Sequence, residues 1–436
     1  FSKNDGLVLG IITRIIPALK LMQTYDDEMR NVKWFNLEPY PLDMALLKTS
    51  TYSNWENQIN FIQSNLTFDV IEKAFKNIPN EVNDETITDI KTKLKGRLQL
   101  LEEIGKTYFE HLSKYAVVVG TDKDNWFDIN RLKNGETQVQ IFNIKKGGKG
   151  SKTYDKTFTN NLTKEIWLYG LDDEDTFNVI GEQNNVIPLR IIGGQNNDTY
   201  LVESDKRISI IDYKSKKNTF KVKKQRQKLT DNYETNVYNY KKLKYSRNQL
   251  IPFIGSNPDD GVKIGINNTF TVYGFERNPF TQQHTLSAAY YFATKGYDLN
   301  YSMEFANVID NWNFHLNTRM TSPNYSINYF GFGNNSLNYE DDFGEDFHRV
   351  KISAFSVNPS FKWVGRSGAN FKIGAFYENL EIENTDDRFI NSMPEMIENG
   401  NSYVGINSNY SYENYDNKSF PTLGMSFHFK TGWKIN

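Results

Sequence analysis

From about residue 260 onward the chain alternates apolar and polar positions with a period of two. In "YDLNYSMEF", Tyr297, Leu299, Tyr301, Met303 and Phe305 fall on one side, and Asp298, Asn300, Ser302 and Glu304 on the other. "WNFHLNTRM" repeats the rhythm, as do "HTLSAAYYFA", "RVKISAFSV", "FKIGAFYENL", "YVGINSNYSYE" and "LGMSFHFKTG". Segments of about ten residues, rich in Tyr and Phe and separated by Gly/Asn/Asp turns, fit the dyad of a transmembrane β-barrel with an apolar outside and a polar lumen. A soluble sandwich also alternates. The long series of strands, with no helix between them, favours the barrel.

Before residue 115 the period is helical. "SNWE" (Ser53 to Glu56) reads as a capping box ahead of Ile59, Phe61, Ile62 and Leu66. After "NDET" one long helix is expected, its stripe running through Ile87, Ile90, Leu94, Leu98, Leu101, Ile104, Phe109 and Leu112 into its own domain's core. Between the two textures, "VQIFNI", "EIWLYG", "LRIIGG" and "ISIIDY" are followed by "KTF", "DTF", "DTY" and "NTF". This degenerate repeat of about 20 to 25 residues predicts a stacked, solenoid-like β module, or else a small sandwich. Three domains are therefore expected: helical 1–115, β repeat 116–245, and an incomplete antiparallel barrel over 246–436.

Composition removes several classes of function. A formal net charge of -2 gives no global reason to expect nucleic acid. With no cysteine there is no disulfide or thiolate site, and five scattered histidines show no HxH or HExxH spacing. The most apolar run, "GLVLGIITRIIPALKLM", is broken by Arg14, Pro17 and Lys20 and is too short for a membrane helix. No nucleophile–base pair, phosphate loop or paired catalytic carboxylates stands out. The chain begins at Phe1 without an initiating Met and reads as a piece of something longer.

Two local features carry candidate chemistry. "GLDDEDTF" and "GGQNNDTY" resemble calcium-binding repeat turns, so Asp172, Asp173, Asp175 and Asp198 are candidate calcium ligands between adjacent turns. Asn196 and Asn197 stand where glycine would give easy positive φ. Lys156 and Asn218, in the matching places of the other copies, speak for a structural turn instead. From Lys206 to Arg247 there are 14 Lys or Arg against 3 acids. This basic belt can meet anionic lipid head groups, or it can be a solvated strand edge.

"GFERNPFTQQHTLSAAYYFATKGYDLNY", "YFGFGNNS", "DFHRVKI" and "DNKSFPTLGMSFHFKTGW" resemble strands and turns of the outer-membrane surface-antigen barrels, the BamA/TamA superfamily. Phe420-Pro421-Thr422-x-Gly424 is the most specific phrase. More closely, the chain is similar to the C-terminal part of large Gram-negative metallophosphoesterase proteins that carry such a barrel. In those, segments like "WFNLEPYPLDMALLKTSTYSNWENQINFIQSNLTFDVIEKAFKNIP" and "TKEIWLYGLDDEDTF" precede it. The resemblance implies an outer-membrane protein with periplasmic or surface-exposed N-terminal domains. It also implies that the helices finish a kinase-like lobe, that any phosphoesterase motifs lie before Phe1, and that this chain holds about half of the barrel's strands. The contrasting expectation is a soluble, secreted, calcium-binding β-repeat or adhesin protein.

Overall fold

In a computed structural model the described residues are 19, 25–181, 184–257, 261–365, 367–398 and 401–436. The apolar run around Arg14, Pro17 and Lys20 lies outside them. Two compact units divide near Lys244.

The first unit begins with helices α1 (Val32–Phe35), α2 (Tyr40–Leu46), α3 (Tyr52–Asn65), α4 (Phe68–Phe75), α5 (Glu85–Gln99) and α6 (Leu101–Leu112). The cap of α3 is Thr51 rather than Ser53: the Thr51 N–H donates to Asn54 Oδ1 at 2.8 Å, two residues before the expected box. The apolar stripe from Ile87 to Leu112 predicts one helix, but Leu100 turns to φ -86, ψ 2 and splits it. Ring packing of Trp55 and Tyr52 on Phe109, at 6.0 and 5.4 Å, holds α3 against α6. On α3 only Ile59 is buried, whereas Phe61, Ile62 and Leu66 stay exposed.

Next comes a four-coil stack. Each coil contributes one strand to each of two parallel ladders: β1 (Tyr115–Val119) with β2 (Asn125–Arg131), β5 (Glu165–Leu171) with β6 (Thr176–Ile180), β7 (Leu189–Gly194) with β8 (Thr199–Val202), and β9 (Ile208–Asp212) with β10 (Thr219–Lys221). β11 (Gln227–Leu229) adds to β9. β3 (Glu136–Lys145) and β4 (Gly148–Thr159) form an antiparallel hairpin on the edge of β2.

This corrects the repeat's first member. "VQIFNI" and "KTF" are the two arms of that hairpin, with Lys156 opposite Val139, and the true first coil is "YAVVV" with "NWF". Inward-pointing side chains of both ladders make one core, from Val118, Phe127, Ile166, Leu168, Phe177, Ile191, Tyr200 and Ile210 among others. Phe127, Phe177, Tyr200 and Phe220 stack coil upon coil at 4.5, 5.4 and 5.0 Å. Such offset pairs add to simple area burial.

The second unit is an antiparallel meander in strict sequence order: β12 (Arg247–Asn257), β13 (Gly261–Val272), β14 (Gln282–Tyr291), β15 (Gly296–Ile309), β16 (Trp312–Thr321), β18 (Arg349–Val364), β19 (Ala369–Ile382), β20 (Asn401–Tyr415) and β21 (Gly424–Ile435). A short β17 (Ser326–Asn328) pairs with the start of β18, making ten strands. Most neighbours are joined by short turns, but the β16–β18 and β19–β20 connections are long and carry the short helices Glu340–Phe343 and Pro394–Glu398, so the strand series is not free of helix as the alternation suggested. No described helix is long and apolar enough to cross a membrane.

Candidate functional site

The turn carboxylates occupy two settings. The stack sets Asn125, Asp175, Asp198 and Asn218 one above another, each just before the Thr or Trp that enters the next strand. The side chains of Asp175, Asp198 and Asn218 each accept the backbone N–H of the counterpart one coil earlier, and Asn125 Oδ1 accepts the Thr121 N–H within its own coil. Asn125 N–H donates to Asp175 Oδ1 at 2.7 Å, Asp175 N–H to Asp198 Oδ1 at 2.8 Å, and Asp198 N–H to Asn218 Oδ1 at 2.7 Å. This is the local turn chemistry of Asx residues repeated along an axis, and it satisfies amides that the ladders leave over.

Asp175 and Asp198 are each 1% exposed, and their Oδ2 atoms have no hydrogen-bond partner. Burial, then the neighbouring Asp198, pushes Asp175 up to about 9. Burial, then Asp212, pushes Asp198 up to about 8. Asp212, bonded by the Tyr200 hydroxyl at 2.5 Å, is raised by burial to about 6. An ionised carboxylate without a partner is expensive in such a place, so these groups take up protons.

Room for the carboxyls comes from two glycines. A Cβ at Gly170 would overlap the Asp175 carboxylate, and one at Gly193 would overlap the Asp198 carboxylate and the Tyr200 hydroxyl. Gly193→Ala is therefore expected to cost about 1–3 kcal/mol by overpacking, read as a lowered urea midpoint. An unchanged midpoint would mean that the ladder has slack there.

Asp172 and Asp173 sit apart from this ladder. Asp172 Oδ1 accepts the Asp173 N–H at 3.0 Å and Asn196 Nδ2 at 3.2 Å, and Asp173 lies 3.4 Å from the Lys123 amine. Leu171 and Asp173 take the left-handed conformation in this turn, and Asn196 and Asn197 do not. Among the described residues no group of three or more His, Asp or Glu side chains is placed to hold a metal ion.

Sequence reasoning missed one member of the ladder, Asn125, and its buried neighbour Asp212. Asn125 was hidden by "NWF", in which Asn replaces Asp and Trp126 replaces Thr, and Asp212 sits inside a strand. The phrase pair "YAVVV" and "NWF", matching "EIWLYG" and "DTF" in order and spacing, was the available signal.

The basic belt begins in the last coil and runs on past β11 to the start of β12. β10 and β11 are edge strands carrying Lys221 and Lys228, while Lys214, Lys216 and Lys217 stand exposed in the turn before β10. Lys223 and Arg226 face Asp205 at 3.7 and 3.6 Å. Lysine on an edge discourages pairing with another strand.

The antiparallel unit offers two faces of opposite chemistry. Cross-strand register puts Ile254, Ile264, Tyr290, Tyr297, Leu299, Met320 and Phe355 on one face, and it continues there through Phe361, Ile373, Ile406 and Trp433. Aromatics Trp312, Trp363, Phe371, Tyr410 and Phe429 stand directly opposite one another across five strands of that face.

The other face is polar and internally bonded. Asn313 donates to Glu304 at 2.7 Å, His315 lies 3.1 Å from the Ser302 hydroxyl, Lys372 lies 3.3 Å from His315, and Arg319 grips Asp298 at 3.0 and 3.1 Å. Burial runs opposite to polarity: Asn313 and Ser360 are 0% and 1% exposed, while Ile254, Ile406 and Trp433 are 78%, 58% and 61% exposed. The separation is less clean at β12, where Ile251 and Phe253 lie on the polar side, and near the β18 start and β19 end, where Ile352, Leu380 and Ile382 do.

No protein-family model matches the chain, and no curated protein matches it. Among solved structures, BamA from Haemophilus ducreyi lacking POTRA domains 1–3 aligns over 44% of this chain and 35% of that one, at 11% identity and a TM-score of 0.29. The chain thus spans about a third of that structure, at a level that does not define a shared fold.

Proposed function

We propose that residues 247–435 are membrane-spanning strands of an outer-membrane β-barrel of the surface-antigen, BamA/TamA-like type, and that the helices and β stack before them form a periplasmic or surface-exposed module. One observation carries this reading: the sheet exposes its apolar face, while polar side chains at its centre, such as Asn313 and Ser360, are buried. In water an apolar face of this extent is an aggregation surface; against lipid it is what a barrel strand requires. Aromatic side chains in register across five strands are of the kind that membrane barrels place at interfaces. The exposed turn lysines Lys214, Lys216 and Lys217 of the basic belt would then meet anionic head groups, each contributing about 1 kcal/mol near such a surface.

The full-length protein is expected in Gram-negative outer-membrane fractions, resistant to alkaline extraction and migrating differently on a gel before and after boiling. A protein recovered entirely in the soluble fraction would overturn the proposal. A second reading, a secreted β-repeat protein loaded with calcium, draws on the two unpartnered Oδ2 atoms of Asp175 and Asp198.

A further inference from the structure

Within the first compact unit, the helices, β1 and the end of β4 line an open cavity of about 250 Å³. Its lining joins Trp55 and Phe109 from the helices to Phe158 and Lys156 from β4. Lys156 is half-buried, and its amine donates to the carbonyls of Lys48 and Ser50 at 3.1 and 3.0 Å. Among the described residues it has no ion pair, and burial lowers its pKa with no compensating acid.

The one acid of the lining, Asp43, is already bonded by the Tyr108 hydroxyl at 2.5 Å. A second cation, Lys48, also lines the cavity, as does Thr51, the N-cap of the 14-residue helix α3. The site therefore combines aromatic walls with net positive charge and a lysine that has one N–H left to give. An ammonium has three donors, and removing it from water without a counter-charge is costly.

We infer that this cavity binds a small monocarboxylate with an aromatic or aliphatic body, its carboxylate paired with Lys156 and its body against Trp55 and Phe109. A phosphate-ester dianion suits it less, because Lys48 and Lys156 against Asp43 leave a single net positive charge in the lining, which matches a monoanion. The inference does not depend on the membrane reading.

The test uses the full chain and two fluorinated probes, 4-fluorophenylpropionate and the corresponding alcohol, observed by fluorine NMR line-broadening. The acid is expected to bind at least about tenfold more tightly than the alcohol. Lys156→Met is expected to remove that preference. Leu162→Trp, which fills the cavity from an exposed turn, is expected to abolish binding of both probes while leaving the urea midpoint at the parent value. Equal binding of acid and alcohol, no binding of either at millimolar concentration, or a preference that survives Lys156→Met would overturn the inference. Should Lys156→Met fail to fold, the acid-to-alcohol ratio in the parent and the Leu162→Trp result decide the matter.

Discussion

Ile373→Arg is expected to destabilise the protein in lipid vesicles by about 2–4 kcal/mol, the cost of a cation on the lipid face near mid-bilayer. Ile373 lies in the central part of β19 on the apolar face, 46% exposed, between Phe361 and Ser408 on the flanking strands. A soluble sheet predicts something quite different. A half-exposed surface side chain replaced by arginine changes stability by no more than about 0.5 kcal/mol. The matched control is Ser411→Arg, one strand away on the polar face between Asn370 and His428, where a lumen tolerates charge. Denaturant titrations of both variants in vesicles separate the readings: a large loss for Ile373→Arg with little change for Ser411→Arg supports the barrel, and two small changes remove it. The comparison depends on the face and not on the charge alone, so it tests the inversion of burial directly.

That inversion was legible in the sequence, because a strand's side chains alternate with a period of two and the antiparallel strands are long. "YDLNYSMEF" and "WNFHLNTRM" become β15 and β16 with the expected residues on the expected faces. The stack was legible only in part. Equivalent positions in a solenoid are fixed by the ladder and not by spacing along the chain, and the hairpin β3–β4 inserts 24 residues between the arms of the first two coils. "VQIFNI…KTF" imitates a coil because β3 alternates as a coil strand does and β4 happens to end in a Thr-Phe phrase. Burial of the turn aspartates could not be read from sequence at all. Acidic turns are normally solvated, and only the three-dimensional approach of Gly170 and Gly193 shows that Asp175 and Asp198 point inward while Asp172 and Asp173 do not.

This buried pair gives the second large effect. A carboxyl whose native pKa is raised keeps its proton when folded, whereas the unfolded chain loses it above about pH 4. Stability from such a group is fully present below that pH and falls as pH rises, until the native group also ionises. For Asp175 and Asp198 the fall extends to about 9 and about 8, and Asp212 adds to it up to about 6. Each group contributes a slope of about 1.4 kcal/mol per pH unit within its window. Asn125 and Asn218 already hold equivalent places with amides, so the double variant Asp175→Asn/Asp198→Asn keeps an acceptor for each backbone N–H. It is expected to flatten the pH profile and to exceed the parent by at least about 2 kcal/mol at pH 8. A calcium site requires the opposite sign. Calcium needs ionised oxygens, so the parent's urea midpoint would rise in millimolar calcium, more strongly at higher pH, and the double variant would lose that rise. Midpoints measured from pH 5 to 9, with and without calcium, give one of two patterns. A decline with pH that ignores calcium makes the ladder a set of neutral hydrogen-bonding acids that hold the coils in register. A calcium-dependent rise lost in the double variant makes Asp175 and Asp198 ligands, with Asp172 and Asp173 the next residues to replace.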